Sequence, residues 1–409
     1  MPARPATAES PAGVAATPPM TAAPWHQRWH QRWHDRWHDR WCAWRDRVLT
    51  SPDFQRRAAR SWFMRPIARR RARALFDLVA GFVYSQVLLA CVRLKLFELL
   101  AAGPQTAADL AARLGLGTAS LERLLTAAAA LDLVELRSGG GWGLGALGAP
   151  LVGNEAITAM VEHHAVLYAD LQDPLALLRG EGPPPALSRY WAYATADAPG
   201  QLPPGEVNEY SALMSASQPL VAEEVLDAYP VARHRCLLDV GGGQGRFLVA
   251  AARRAPGLRL MLFDLPGVVP VAREAFAAQG LADRAQVFGG DFTRDVLPAG
   301  ADLVTLIRVI YDHPDARALT ILRAAFLALP PGGTLLLAEP MAGAPGAARM
   351  GDAYFGMYLL AMRGGRARTA AELSALLIEA GFEQVRERPT PIPLQVGVLV
   401  ARKPGHARS

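Results

Sequence analysis

From residue 236 onward, short apolar runs alternate with longer stretches whose apolar positions recur every three to four residues. CLLDV (236–240), LRLMLFD (258–264), AQVF (285–288), DLVTLIRVIY (302–311) and GTLLLAE (333–339) predict buried strands. The stretches between them predict helices ending near Ala255, Gly280 and Leu329. Such alternation builds right-handed βαβ units around a parallel sheet. An amphipathic helix, TAAELSALLIEAGF (369–382), follows. Two last strands, FEQVRERP (382–389) and LQVGVLVARK (394–403), lie close enough for an antiparallel edge.

The pattern upstream is different. LVAGFVYSQVLLACV (78–92) is continuously apolar but shorter than the roughly 20 residues of a spanning helix. It contains Gln86 and is followed by Arg93 and Lys95, so a buried helix is expected. Two short helices come next, one capped by Thr106 and the other by Thr118 or Ser120. LVELR (133–137), a glycine turn and a strand containing Trp142 complete a helix–helix–hairpin order, the winged helix-turn-helix pattern. Residues 155–230 read as mostly helical, interrupted by GEGPPPA and DAPGQLPPG.

Charge changes the picture at the N-terminus. The net charge is +6, yet residues 25–73 hold fourteen arginines against four aspartates, a local balance of +10. The first 24 residues cancel, which leaves the body at −4. Those 24 residues are Pro- and Ala-rich, lack a signal-peptide core and read as disordered. Cys42, Cys91 and Cys236 show no disulfide or zinc spacing, which fits a reducing cytoplasm.

LLDVGGGQG (237–245) runs a strand into a glycine loop. Gly241, Gly243 and Gly245 allow positive φ and close approach of a ligand, beside Asp239 at the strand's end. Asp264 ends the second strand and suits two ribose hydroxyls. The G-x-G-x-G spacing departs from the dinucleotide G-x-G-x-x-G. GGDF (289–292) ends the third strand, where Asp291 can accept from an adenine amine and Phe292 can lie on the ring. Together these point to S-adenosylmethionine rather than NAD. The blander reading makes Asp291 a turn cap and Phe292 core.

With LLDVGGGQG, FDLPGV, GGDF and LAEP in this order after a winged helix, residues 75–402 resemble the plant-type small-molecule O-methyltransferases. FDLVAGFVYSQVLLACVRLKLF, RVIYDHPD and MRGGRART are most similar to the carotenoid branch. The resemblance implies a Rossmann-like doubly wound α/β methyltransferase domain behind an α-rich winged-helix dimerisation domain. It also implies homodimers and a small hydroxylated acceptor. The expected segments are a disordered tail with the repeat (1–45), the dimerisation domain (46–160), a helical substrate-binding linker (161–230) and the methyltransferase domain (231–405). Cytoplasmic location is expected, with peripheral contact at the inner membrane surface.

An alcohol acceptor needs a base. The family has His then Asp in this turn, whereas this chain has Asp312 then His313. Spacing favours Asp312, and the reference pKa of about 6.5 against about 3.9 favours His313. With Pro314 in the first helical position, His313 would be the N-cap and stay neutral, with Asp312 as its orienting partner. Mere helix capping by either residue is the alternative. Glu339 matches a family acid that steadies the base, Ala367 stands where a second such acid is found, and Arg308 matches a lysine near the cofactor. Tyr210, Met214, Phe355, Met357 and Met362 are expected to line an apolar acceptor pocket, or to be ordinary core.

Three functions remain in view. The first is methylation of the tertiary hydroxyl of an acyclic hydroxycarotenoid; the second uses a phenolic or polyketide acceptor. The third is a winged-helix DNA-binding regulator, which the weak base-reading face of residues 120–133 disfavours, so no nucleic-acid partner is expected. WHQRWHQRWHDRWHDRW (25–41) advances about 400° per copy on a helix, so its histidines spiral: neighbouring pairs such as His26 and His30 could chelate a metal, but all four could not share one ion. No metal is expected. The repeat suits a membrane surface or is a neutral expansion.

Overall fold

The computed structural model describes residues 25–190, 218, 220–344, 346–391 and 396–405. The expected disorder of residues 1–24, the loop at 197–205, and Tyr210 and Met214 lie outside the described residues. The chain divides into two compact units, Met1–Tyr84 and Ser85–Ser409. The division falls within one helix and not at the expected segment ends 45, 160 and 230.

The first unit holds α1 (Trp25–Thr50), α2 (Pro52–Arg60) and the first part of α3 (Arg65–Arg93). The repeat is therefore helical, and the expected disordered tail over 1–45 is corrected from Trp25 onward. Charged and aromatic side chains with no glycine or proline let the backbone bonds close over 26 residues. Ser51 ends this run and caps α2, accepting from the Phe54 N–H at 3.4 Å, with Pro52 at the first helical position. By length and hydropathy α3 is the one described helix able to cross a bilayer. Its last turns carry Leu89, Cys91 and Val92 into protein core.

In the second unit, α4 (Leu96–Ala101), α5 (Ala107–Leu114), α6 (Thr118–Ala130), β1 (Val134–Leu136) and β2 (Trp142–Leu144) form the winged helix. Phe97, Leu110, Leu121 and Leu125 fill its core. Thr106 caps α5 as expected. The α6 cap is Gly117, without a side-chain bond, because Thr118 and Ser120 already lie inside the helix. Three helices follow: α7 (Glu155–Asp170), α8 (Pro174–Arg179) and α9 (Ala186–Tyr190).

The large sheet contains β3 (Cys236–Val240), β4 (Arg259–Asp264), β5 (Ala285–Gly289), β6 (Leu303–Ile307), β7 (Thr334–Glu339), β10 (Glu383–Arg388) and β11 (Gly397–Arg402). Its order is β10-β11-β7-β6-β3-β4-β5. The last five in that order are mutually parallel, while β11 is antiparallel to both β7 and β10. Crossovers use α10 (Arg246–Arg254), α11 (Val269–Ala278) and α12 (Asp315–Ala328), and apolar clusters cover both faces of the sheet. Strand order reverses between β3 and β6, and ligands bind such sheets at that switch, beyond the carboxyl ends of the strands.

Two short strands, β8 (Met341–Ala342) and β9 (Arg368–Thr369), pair above that end. Between them lie a wide π-type turn, Arg349–Tyr354, and α13 (Phe355–Met362). Gly351 makes this possible, because a Cβ there would stand 2.2 Å from the Met341 carbonyl oxygen. Thr369 and Glu372 then form a capping box that starts α14 (Ala370–Glu379).

Candidate active site

At the switch point β3 ends in Asp239 and Val240, and the chain turns through Gly241, Gly243 and Gly245, all with positive φ. A Cβ on Gly241 would lie 2.8 Å from a Val309 methyl and 3.8 Å from the Phe292 ring. The loop is thus a tight cradle against the ends of β5 and β6. Asp264 braces it, accepting from the Gly243 N–H at 2.7 Å and from the Leu265 N–H at 2.7 Å. Burial, with its own aspartate neighbour, pushes Asp239 up to about 7, and burial pushes Asp264 up to about 6. Asp239 Oδ1 accepts from the Thr305 hydroxyl, while its buried Oδ2 has no protein partner. A buried carboxylate oxygen left unpaired beside a glycine cradle fits a polar, cationic ligand.

Asp291 does cap its turn, accepting from Thr293 N–H at 2.8 Å and its hydroxyl at 2.6 Å. Phe292 packs against the core, as the bland reading has it, but its ring also meets the His313 ring edge to face at 5.6 Å. The glycine cradle, Phe292 and His313 are therefore contiguous.

β6 stops one residue before Arg308, which enters the left-handed region at φ 59°. A tight turn, Ile310–Asp312, follows. Pro314 is the N-cap of α12 and Asp315 its first residue, which corrects the expected cap at His313 by one position. His313 is extended, at φ −118° and ψ 146°, and buried. Burial, then Arg317 and Arg368, push it down to about 3, against a smaller opposing effect of Asp291. Such a ring is neutral at pH 7 through burial and neighbouring arginines, not a helix dipole, and is a weaker proton acceptor than the reference value of about 6.5 implies. Asp312 was expected to orient it. In the structure Asp291 bears on His313, and the charge of Asp312 bears on Glu339.

Glu339 ends β7. Its Oε1 accepts from the Val309 and Ile310 N–H groups at 3.1 and 2.7 Å, which pins the turn that carries Asp312 and His313. Burial and Asp312 push its carboxyl up to about 8. Its bonds go to the backbone of the turn and not to the imidazole.

Arg368 is a residue beside the site that sequence reading missed. It is 1% exposed. Its guanidinium donates to Asp315 Oδ1 at 2.8 Å, the Ile310 carbonyl at 3.0 Å and the His313 carbonyl at 2.7 Å. Arg366 adds a backbone bond from its N–H to the Tyr311 carbonyl at 3.0 Å and side-chain bonds to Asp315 and Glu372. Gly365, at φ 69°, lies so close to this turn that a Cβ would stand 1.9 Å from the Tyr311 oxygen. MRGGRART is thus a clamp around the turn that carries Asp312 and His313. Its length and three arginines were visible in the sequence, but its partner was not.

Phe355 and Met357 are half-buried on α13, and Met362 is fully enclosed beside Tyr311, Leu167 and Leu187. Phe355 meets the Tyr311 ring at 5.9 Å. Two bonds unseen in the sequence tie α7 to this region: His163 Nε2 to the Tyr358 hydroxyl at 2.7 Å and His164 Nε2 to the Tyr354 hydroxyl at 2.8 Å. Burial pushes His163 down to about 4 and lowers His164. The charge of Arg308 bears on Tyr354, the last residue of the π-type turn. A cleft of about 500 Å³ opens between α12 and α13, lined by Pro314, Arg317, Leu359, Leu360 and Arg363. Among the described residues no His/Cys/Asp/Glu group could hold a metal ion.

Residues 184–383 match the O-methyltransferase domain family, and residues 76–154 match the O-methyltransferase dimerisation domain family. The chain is 44% identical over 361 residues to the demethylspheroidene O-methyltransferase of Cereibacter sphaeroides, covering 88% of this chain and 95% of that one. It is 41% identical to the protein of that name from Rhodobacter capsulatus, covering 83% and 84%. Human N-acetylserotonin methyltransferase, solved with S-adenosylmethionine, superposes with a TM-score of 0.68 at 25% identity, covering 82% and 98%. Taken with the glycine cradle at the switch point, these matches place the chain in the S-adenosylmethionine-dependent O-methyltransferase family.

Proposed function

We propose that this enzyme methylates the tertiary hydroxyl of an acyclic hydroxycarotenoid of the hydroxyneurosporene or demethylspheroidene type. The 44% identity to the Cereibacter enzyme over nearly its whole length carries this reading. When bound, S-adenosylmethionine supplies an electrophilic methyl on a sulfonium. Gly241, Gly243 and Gly245 cradle it, Asp264 takes the ribose hydroxyls, Asp291 the adenine amine, and Phe292 lies against the ring. Asp239 stands near the cationic end, and Arg308 borders the acceptor side. Phe355 and Met357 supply apolar wall, while Met362 supports it from the core. The dry wall excludes water, which would compete for the methyl.

His313 is the base. Its Nδ1 is buried without a hydrogen-bond partner, and we assign Nε2 to the acceptor hydroxyl. The neutral ring takes the proton as the oxygen attacks. Glu339 and Arg368 hold the turn so that the ring stays beside Phe292, and the charge of Asp312 bears on Glu339. A second copy of the chain covers the exposed face of α3 that includes Phe76, Leu78, Val79 and Phe82, which falls in the dimerisation match. Residues 25–73 touch a membrane surface, where such an acceptor dissolves.

The test is a comparison of kcat/KM for a tertiary polyene alcohol and a panel of phenols under identical detergent conditions. A clear preference for the polyene alcohol is expected. Preference for a phenol would replace the acceptor and keep the chemistry.

A further inference from the structure

No residue assigned above to methyl transfer lies between 37 and 73. Five large aromatic side chains stand exposed there: Trp37, Trp41, Trp44, Trp62 and Phe63. Trp62 is 86% exposed and Phe63 64%. Their rings meet edge to face at 5.9 Å, so they form one aromatic knob at the elbow between α2 and α3. Arg57 and Arg60 flank it from the last turn of α2, and Arg65, Arg69, Arg70 and Arg71 from the first turns of α3. The ion pairs of this segment are Arg45–Asp46 and Arg56–Asp53. Among the described residues, no carboxylate pairs with the arginines from Arg57 to Arg71.

An exposed Trp–Phe pair forfeits the burial that makes aromatic residues stabilising, since each has roughly 150–250 Å² to cover. The ring of uncompensated guanidinium groups selects what covers it. Indole and guanidinium, each with an apolar body and a polar tip, belong together in the headgroup zone of a bilayer carrying negative charge. The apolar face further along α3, from Phe76 to Val83, falls in the dimerisation match.

We propose that the α2–α3 elbow docks on an anionic lipid bilayer, with Trp62 and Phe63 in the headgroup zone and the flanking arginines on lipid phosphates. This rests on the membrane contact proposed above and narrows it to the elbow instead of the tetrapeptide repeat. α3 lies against the surface and does not cross it, because Leu89, Cys91 and Val92 are committed to protein core.

The test is cosedimentation of the full chain with phosphatidylcholine vesicles, with and without phosphatidylglycerol, at low and high salt. Three forms are compared: the unaltered protein, Trp62→Ser/Phe63→Ser, and Arg69→Gln/Arg70→Gln/Arg71→Gln. Binding should need phosphatidylglycerol and weaken with salt. Each arginine removed should cost roughly fivefold, so about a hundredfold for three, and the aromatic pair should cost about tenfold or more. Transfer to a detergent-dispersed acceptor should stay unchanged in both variants, which separates failure of docking from failure of the methyltransferase reading. Undiminished binding by both variants would overturn the proposal, as would equal binding to neutral vesicles. So would resistance to alkaline extraction, which would indicate a spanning helix. A variant that changed oligomeric state, or tighter binding to DNA than to anionic vesicles, would assign the knob to another partner.

Discussion

Replacing Arg368 by methionine tests how the base turn is held. Methionine keeps much of the buried volume and removes every donor. The Ile310 and His313 carbonyls, which accept from Arg368 at 3.0 and 2.7 Å, would lose that donor. Asp315 would keep Arg366. The Ile310 carbonyl would still accept from the His313 N–H at 3.2 Å, so only the His313 carbonyl is left unpaired, at about 1–3 kcal/mol. For a unit of this size that lowers the melting temperature by roughly 2–4 °C. The second consequence is electrostatic. Arg368 helps push His313 down to about 3, so its loss raises the His313 pKa and moves the acid limb of the kcat/KM profile to higher pH. Calorimetry and a pH–rate profile read the two effects separately. A fall in melting temperature with kcat and the acid limb unmoved would refute the clamp as a positioning device and leave it only structural.

Three further outcomes follow from the site. His313→Ala should lower kcat by about 10²- to 10⁴-fold in single-turnover assays, and Asp312→Asn by much less; the reverse order would make Asp312 the base. Gly241→Ala should weaken cofactor binding in titration calorimetry, because the residue sits at φ 70° and its Cβ would press on Val309; unchanged affinity would contradict the cradle. Glu339 is raised to about 8, so the folded chain keeps a proton that the unfolded chain has lost above about 4.5. Its contribution to stability is present below that lower value and is lost as pH rises toward about 8. Glu339→Gln should therefore show a shallower fall of melting temperature across that window, and an identical slope would contradict the assignment.

The parallel strands, the winged helix and the glycine loop were legible because each follows from local pattern. Period, length and turn chemistry suffice to place CLLDV, LRLMLFD and GTLLLAE. The misses arise where a partner far along the chain decides. β6 was expected to run to Tyr311, but Arg308 turns left-handed while its N–H still reaches the Ala338 carbonyl at 2.7 Å. The cap fell on Pro314 and not His313, because the tight turn and the clamp leave His313 extended. The π-type turn depends on one glycine packed against Met341. The bonds from His163 and His164 to tyrosines nearly two hundred residues away have no local signature. Arg368 carried no signal for the same reason, since its partners lie more than fifty residues upstream.

The central claim is transfer of a methyl group to a tertiary hydroxyl on a polyene. Purified protein mixed with S-adenosylmethionine bearing a labelled methyl and a detergent-dispersed acyclic hydroxycarotenoid tests it most directly. The account predicts label in the lipid phase as a methoxy group on an intact polyene, lost in His313→Ala. Cofactor bound in full, with no label on the polyene and label on a phenolic acceptor in its place, would contradict it.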